Sequence, residues 1–114
     1  MLVRFSHMMI YTNKHEESVS WYCDKLGYEI DYKAPGEYAS LHHKVLGRLA
    51  IHMSTAETGG QGGLPYFLCD DINETVKAFR AIGIKVEEPT REGESPWFTD
   101  FFDNVGNRWG IEEV

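Results

Sequence analysis

Five histidines, His7, His15, His42, His43 and His52, are the residues of this chain best suited to chemistry near neutral pH. An imidazole that titrates close to neutrality can serve as a general base when a cleft holds it. His52 lies in Leu49-Ala50-Ile51-His52-Met53, where alternation along a strand sends Leu49 and Ile51 to one face and His52 to the other. Glu112 stands in the same relation to Trp109 and Ile111, so His52 and Glu112 are both expected on faces turned away from the helices, toward a cleft. His42 and His43 are adjacent, so at most one of them can join that cleft, and His15 within Lys14-His15-Glu16-Glu17 is expected to be solvated. Aromatic residues are the other resource. Tyr38, Trp97, Phe98, Phe101, Phe102 and Trp109 fall on predicted strands, and most are expected in the core. Tyr38, Trp97, Phe98, Phe102 and Trp109 are the candidates to line a ligand site, with Trp97, Phe98 and Phe102 suited to stack on a planar or cationic ligand.

The elements that must position these residues follow from periodicity and punctuation. Residues 4–12 read as a strand and 15–26 as a helix, with Val19, Tyr22 and Leu26 at helical spacing, Asn13 as its cap and Gly27 as its stop. Three short strands are predicted at 28–32, 37–42 and 48–53, divided by Pro35-Gly36 and by the turn at 44–47. Residues 58–63, with four glycines in six, read as a flexible linker; a phosphate-cradling loop would need a helix directly behind it, and 66–69 reads as a strand. Beyond the linker the order repeats as strand 66–69, helix 72–82 capped by Asp70 or Asp71 and stopped by Gly83, then strands 84–87, 97–102 and 107–113. Val19 and Tyr22 match Val76 and Phe79 at a constant offset, which points to an internal duplication. The expectation is a single α+β domain of tandem βαβββ modules, module one at 1–57 and module two at 64–114. The segment 90–96 reads as a mobile loop able to cover a cleft.

A chain of 114 residues suits one domain, and 42% hydrophobic with 25% charged residues suits a packed core. The net charge is -7 and the eleven Lys and Arg residues are scattered singly, which argues against nucleic acid as a partner. No run approaches the ~20 apolar residues that cross a bilayer, and the N-terminus lacks the pattern of a signal peptide, so no membrane partner and a cytoplasmic address are expected. Cys23 and Cys69 have no close spacing and read as reduced thiols.

His7, Trp21-Tyr22, Leu26-Gly27 and Asp103-Asn104-Val105-Gly106-Asn107-Arg108, in that order and spacing, resemble the vicinal oxygen chelate superfamily of glyoxalases, bleomycin-resistance proteins and dioxygenases. The turn departs from the family's Asp-Pro-Asp-Gly-Asn at Asn104 and Val105. The resemblance covers nearly the whole chain and implies a small-molecule site on a concave sheet, a homodimer, and in many members one divalent metal (Zn, Ni, Mn or Fe) held by four strand positions. Carried over residue by residue, the first position is His7 and the second His52. The third falls on Leu64 or Pro65, which cannot bind metal, and the fourth is Gly110 counted from Gly106 or Glu112 matched by pattern. The resemblance thus implies a partly degenerate metal site of His7, His52 and Glu112. Three functions follow as expectations: a metal-free binding protein of bleomycin-resistance type; a metal-dependent lyase or dioxygenase with His7 and His52 as catalytic residues; or a non-catalytic interaction domain.

Overall fold

The computed structural model describes residue 1 and residues 3–54 and 64–114. The chain divides into two compact units, Met1–Thr58 and Gly59–Val114. The expected linker at 58–63 lies outside the described residues.

The first unit runs β1 (Met8–Thr12), α1 (His15–Leu26), β2 (Glu29–Ala34), β3 (Tyr38–His43) and β4 (Gly47–Met53). The second runs β5 (Tyr66–Cys69), α2 (Ile72–Ala81), β6 (Lys85–Val86), β7 (Phe98–Phe102) and β8 (Arg108–Glu113). Each unit is one four-stranded sheet, in the orders β1-β4-β3-β2 and β5-β8-β7-β6. The pairs β1–β4 and β5–β8 are parallel and the remaining pairs antiparallel. A parallel pair needs a crossover, and the helix of each unit supplies it. The βαβββ order therefore occurs twice, as the repeated sequence pattern predicts.

Alternation decides which residues reach the helix. In the first unit Ile10, Ala39, Leu41, Leu49 and Ile51 are buried together with Val19 and Tyr22 of α1. In the second, Ile72 and Val76 of α2 are buried with Val86, Phe101, Trp109 and Ile111. Rings do much of the packing there: Phe67 stacks on Trp109 at 5.3 Å, and Phe79 meets Phe101 edge-on at 5.2 Å.

Local details depart from the sequence reading at the helix entry. The position before α1 is Lys14, which gives no side-chain cap, and Asn13 does not act as one. Thr12 does the work from inside the strand: its Oγ1 accepts the Lys14 N–H at 3.0 Å and shares a buried 2.8 Å hydrogen bond with Ser18 Oγ. His15, expected in solvent, is only 3% exposed, because the first residue of α1 points at the sheet and its Nε2–H donates to the Ile51 carbonyl at 3.2 Å. The second helix follows expectation, with the Asp71 carboxylate accepting the Glu74 N–H at 3.0 Å. The segment 90–96 is tied to itself and to β7: Thr90 and Phe98 exchange backbone bonds at 2.9 Å, and Ser95 closes a turn on Glu92. Among the described residues no helix is long and apolar enough to cross a membrane.

Candidate ligand-binding faces

With one face of each sheet committed to a helix, functional side chains must come from the other face. In the first sheet the register places Tyr11 beside His52 and His52 beside Tyr38. Their rings meet at 5.8 Å and 6.3 Å, and Tyr32 on β2 continues the series, 6.4 Å from Tyr38. The result is a row of four rings that crosses the sheet in strand order. Tyr11 and Tyr32 are exposed at its two ends.

His52 has a defined tautomer. Its Nδ1 lies 2.7 Å from the Met53 carbonyl, which can only accept, so Nδ1 carries the hydrogen and Nε2 offers a lone pair. Beyond the row, toward the β3–β4 turn, the same face turns polar. Arg48 bonds Asp31 and Ser40, and His42 lies 2.9 Å from Asp31 and 3.4 Å from Glu29.

The second sheet repeats the positions with other residues. Glu112 takes the place of His52, paired with Leu68 and Phe98 as His52 is paired with Tyr11 and Tyr38. Phe102 lies between the Lys85 ammonium, 5.0 Å from its ring centre, and the Arg108 guanidinium, 5.4 Å away; Arg108 also pairs with Asp100 at 3.2 Å. Tyr66 stands opposite Gly110, and a Cβ built on that glycine would lie 2.5 Å from the Tyr66 ring. The space of a side chain at 110 is therefore filled by a neighbouring ring.

The remaining candidates fall as follows. His7 precedes β1 and is exposed, with its Nδ1 2.8 Å from Ser6 Oγ. It comes four residues before Tyr11, the partner of His52, a path of about 13 Å along an extended strand. Glu112 belongs to the other unit. Trp97 is exposed beneath the Arg91 guanidinium, 5.4 Å from its centre. Tyr38, Phe98 and Phe102 are half-buried on the faces turned from the helices, whereas Trp109 is 3% exposed and stacked in the core. Trp109 alternates with Gly110 and so points at the helix, away from the face that could take a ligand.

The donor chemistry does not compose the four-position metal set. Leu64 or Pro65 and Gly110 offer no electron pair from a side chain, and among the described residues no three His, Cys, Asp or Glu side chains are gathered to hold a metal. Three ring residues, Tyr11, Tyr32 and Tyr66, escaped the sequence reading. Tyr11 and Tyr66 sit on the first strands of their units, whose parallel register local sequence does not encode, and Tyr32 follows an irregularity in the β2–β3 pairing.

Two βαβββ units, each a four-stranded sheet with one helix, define the class of fold, and comparison assigns the family. The chain belongs to the Glyoxalase/Bleomycin resistance protein/Dioxygenase superfamily, whose family model matches residues 4–111. No curated protein matched. Among solved structures, the lactoylglutathione lyase of Agrobacterium tumefaciens is 21% identical, with 96% of this chain and 92% of that one aligned at a TM-score of 0.74. FosX, a fosfomycin resistance protein from Listeria monocytogenes solved with Mn(II) and 1S,2S-dihydroxypropylphosphonic acid, is 11% identical, with 98% and 90% aligned at 0.78. TnmS3, an antibiotic binding protein from a Streptomyces species, is 17% identical, with 99% and 98% aligned at 0.75. At these identities the likeness is one of fold.

Proposed function

We propose that this chain binds a small molecule on the sheet faces turned away from its helices and does so without a metal centre of the family's four-position type. The observation that carries this reading is the row Tyr11, His52, Tyr38 and Tyr32, an aromatic surface whose successive rings are turned 57°, 70° and 44° from one another, with one fixed acceptor within it. Each good ring contact contributes about 0.5–1.5 kcal/mol beyond its buried area, so an aromatic ligand that meets one ring by its face and the next by its edge gains useful affinity. Phe98, at the position of Tyr38, with Phe102 and Trp97 extends the same resource in the second unit. TnmS3 is a precedent for an antibiotic binding protein on this fold. The test is a thermal-shift screen of planar aromatic drugs and metabolites. A ligand should raise the melting temperature equally with EDTA and with added metal; turnover of that ligand, or dependence of its binding on metal, would overturn the reading. The resemblance also implies a homodimer, and a sedimentation mass of one chain would contradict it.

A second reading has one observation in its favour. The lone pair on His52 Nε2 is the one that a proton or a metal would take, since the other nitrogen is held by a backbone carbonyl. In that reading the chain is a lyase or dioxygenase in which His7, His52 and Glu112 hold Zn, Ni, Mn or Fe(II). Elemental analysis after incubation with each metal decides between the two, one metal ion per chain supporting the enzyme.

A further inference from the structure

We propose that the turn between β3 and β4 is a latch that mild acid releases, because His43 holds it shut only while its imidazole is uncharged. The latch is a single atom. His43 Nδ1 accepts the backbone N–H groups of Val45 and Leu46, each at 3.0 Å. A ring nitrogen that accepts carries no hydrogen, so the hydrogen of the neutral ring sits on Nε2. A proton taken up by this ring can therefore go only to Nδ1. It turns the shared acceptor into a donor and leaves three N–H groups pointing at one another.

The ring lies on the helix side of the sheet. Tyr28, just ahead of β2, meets it edge-on at 5.6 Å, and the phenol there stays neutral in acid because burial pushes it up to about 12. The end of α1 presents Gly27, where a Cβ would stand 3.7 Å from His43 Nε2, and β4 presents Gly47 and Leu49. Neither those residues nor Tyr28 offers a negative charge to a protonated ring. Lys44, next in the turn, is itself a cation. Glu29, Asp31 and His42 belong to the other face, since Glu29 pairs with His42 and His42 alternates with His43.

That other face is what the latch controls. His43 pairs with Gly47 and His42 with Arg48, so the strand ends joined by the turn also carry the polar cluster beside the ring row. Arg48 bonds Asp31 and Ser40, and His42 lies 2.9 Å from Asp31 and 3.4 Å from Glu29. Opening the turn loosens Arg48 from these partners. A proton on His42 acts in the opposite sense, because it strengthens two pairs with carboxylates. The latch stands whether or not this face takes a ligand.

The second unit closes the equivalent turn with another acceptor. Asp103 follows β7 where His43 ends β3, and its carboxylate accepts the N–H groups of Val105 and Asn107 at 3.0 Å and 2.9 Å and the Asn107 side-chain amide at 2.9 Å. Carboxylates keep their lone pairs free at pH values where imidazoles take up a proton. One device thus closes both turns, and acid reaches it in the first unit alone.

Exchange of backbone amide hydrogens in the full chain, corrected for the intrinsic effect of pH, tests the latch. Between about pH 7.5 and 5.5 the protection of Val45 and Leu46 should fall about tenfold, since the open turn takes the proton and the lower value lies about one unit below an ordinary imidazole. Val105 and Asn107 should stay protected. His43→Asn, an acceptor that does not titrate, and His43→Asp, the acceptor of the second unit, should each keep Val45 and Leu46 protected at both pH values. His43→Phe should leave them unprotected at both, and His42→Gln should leave the wild-type response in place. Undiminished protection of wild-type Val45 and Leu46 in acid would overturn the latch. So would an equal loss at Val105 and Asn107, an acid loss that persists in both His43→Asn and His43→Asp, or a response abolished by His42→Gln.

Discussion

Gly110 lacks a side chain at the centre of the second sheet, and the Tyr66 ring occupies the space where one would project. Gly110→Ala should therefore push the ring off the sheet and cost about 1–2 kcal/mol, as overpacking does. In a Tyr66→Ala background the same change should be neutral or stabilising, because alanine in a strand is favoured over glycine by roughly 0.5–1 kcal/mol. A double-mutant cycle by urea denaturation measures the coupling, and additive effects would show that the ring does not set the residue at 110. The sequence leaves Gly110 and Glu112 as alternatives for one functional position. Alternation places both on the same face, so the pattern cannot choose between them; the ring that fills the space above 110 comes from a strand more than forty residues earlier. His52 was legible because Leu49 and Ile51 bracket it locally. Tyr11 and Tyr32 were not, since their place in the ring row depends on a parallel register and on the irregularity between Ile30 and Tyr32.

Helix entries and strand turns carry the next scale of argument. The two helices begin by different devices: Asp71 caps α2 from the adjacent position, whereas α1 relies on Thr12, two residues before its Lys14 entry. Asp71→Ala should cost about 1 kcal/mol, the usual loss of a cap. Thr12→Val should cost about 1–3 kcal/mol, because Ser18 Oγ and the Lys14 N–H both lose that oxygen and Ser18 is fully buried. Lys14→Ala should change stability little. Equilibrium denaturation of the three variants orders them, and a Lys14→Ala loss as large as that of Thr12→Val would refute the assignment. Element order and most strand positions were readable from apolar alternation and from glycine and proline punctuation. The cap of α1 was not, since Asn13 is the better residue by type; tertiary contact with the strand end overrides that preference. The burial of His15 has the same cause: charged neighbours in sequence say nothing about a first helical turn that faces the sheet.

At the scale of the whole molecule, the pH range of folding is bounded by groups whose proton affinity changes when the chain closes. On the acid side Glu16 is held below its ordinary range by hydrogen bonds from the Lys33 ammonium and the Gly36 N–H. Its contribution is present above the unfolded value and lost as pH falls, and exposure keeps it small. The alkaline side is set more firmly by Tyr28, which is 5% exposed and whose phenol is pushed up by burial to about 12. Its neutral form is the one that folding favours, so the native state keeps this proton after the unfolded chain, with its ordinary tyrosine near 10, has lost it. Stability from this group is complete below about pH 10 and declines as pH rises toward 12, by about 3 kcal/mol at most. Tyr28→Phe removes the ionisation while keeping the ring that packs against Tyr22 and His43. Denaturation series between pH 8 and 12 should show the wild type losing stability more steeply than Tyr28→Phe, with the two curves separating above about pH 10. Parallel curves would mean that the buried phenol is not the group that limits the fold in alkali.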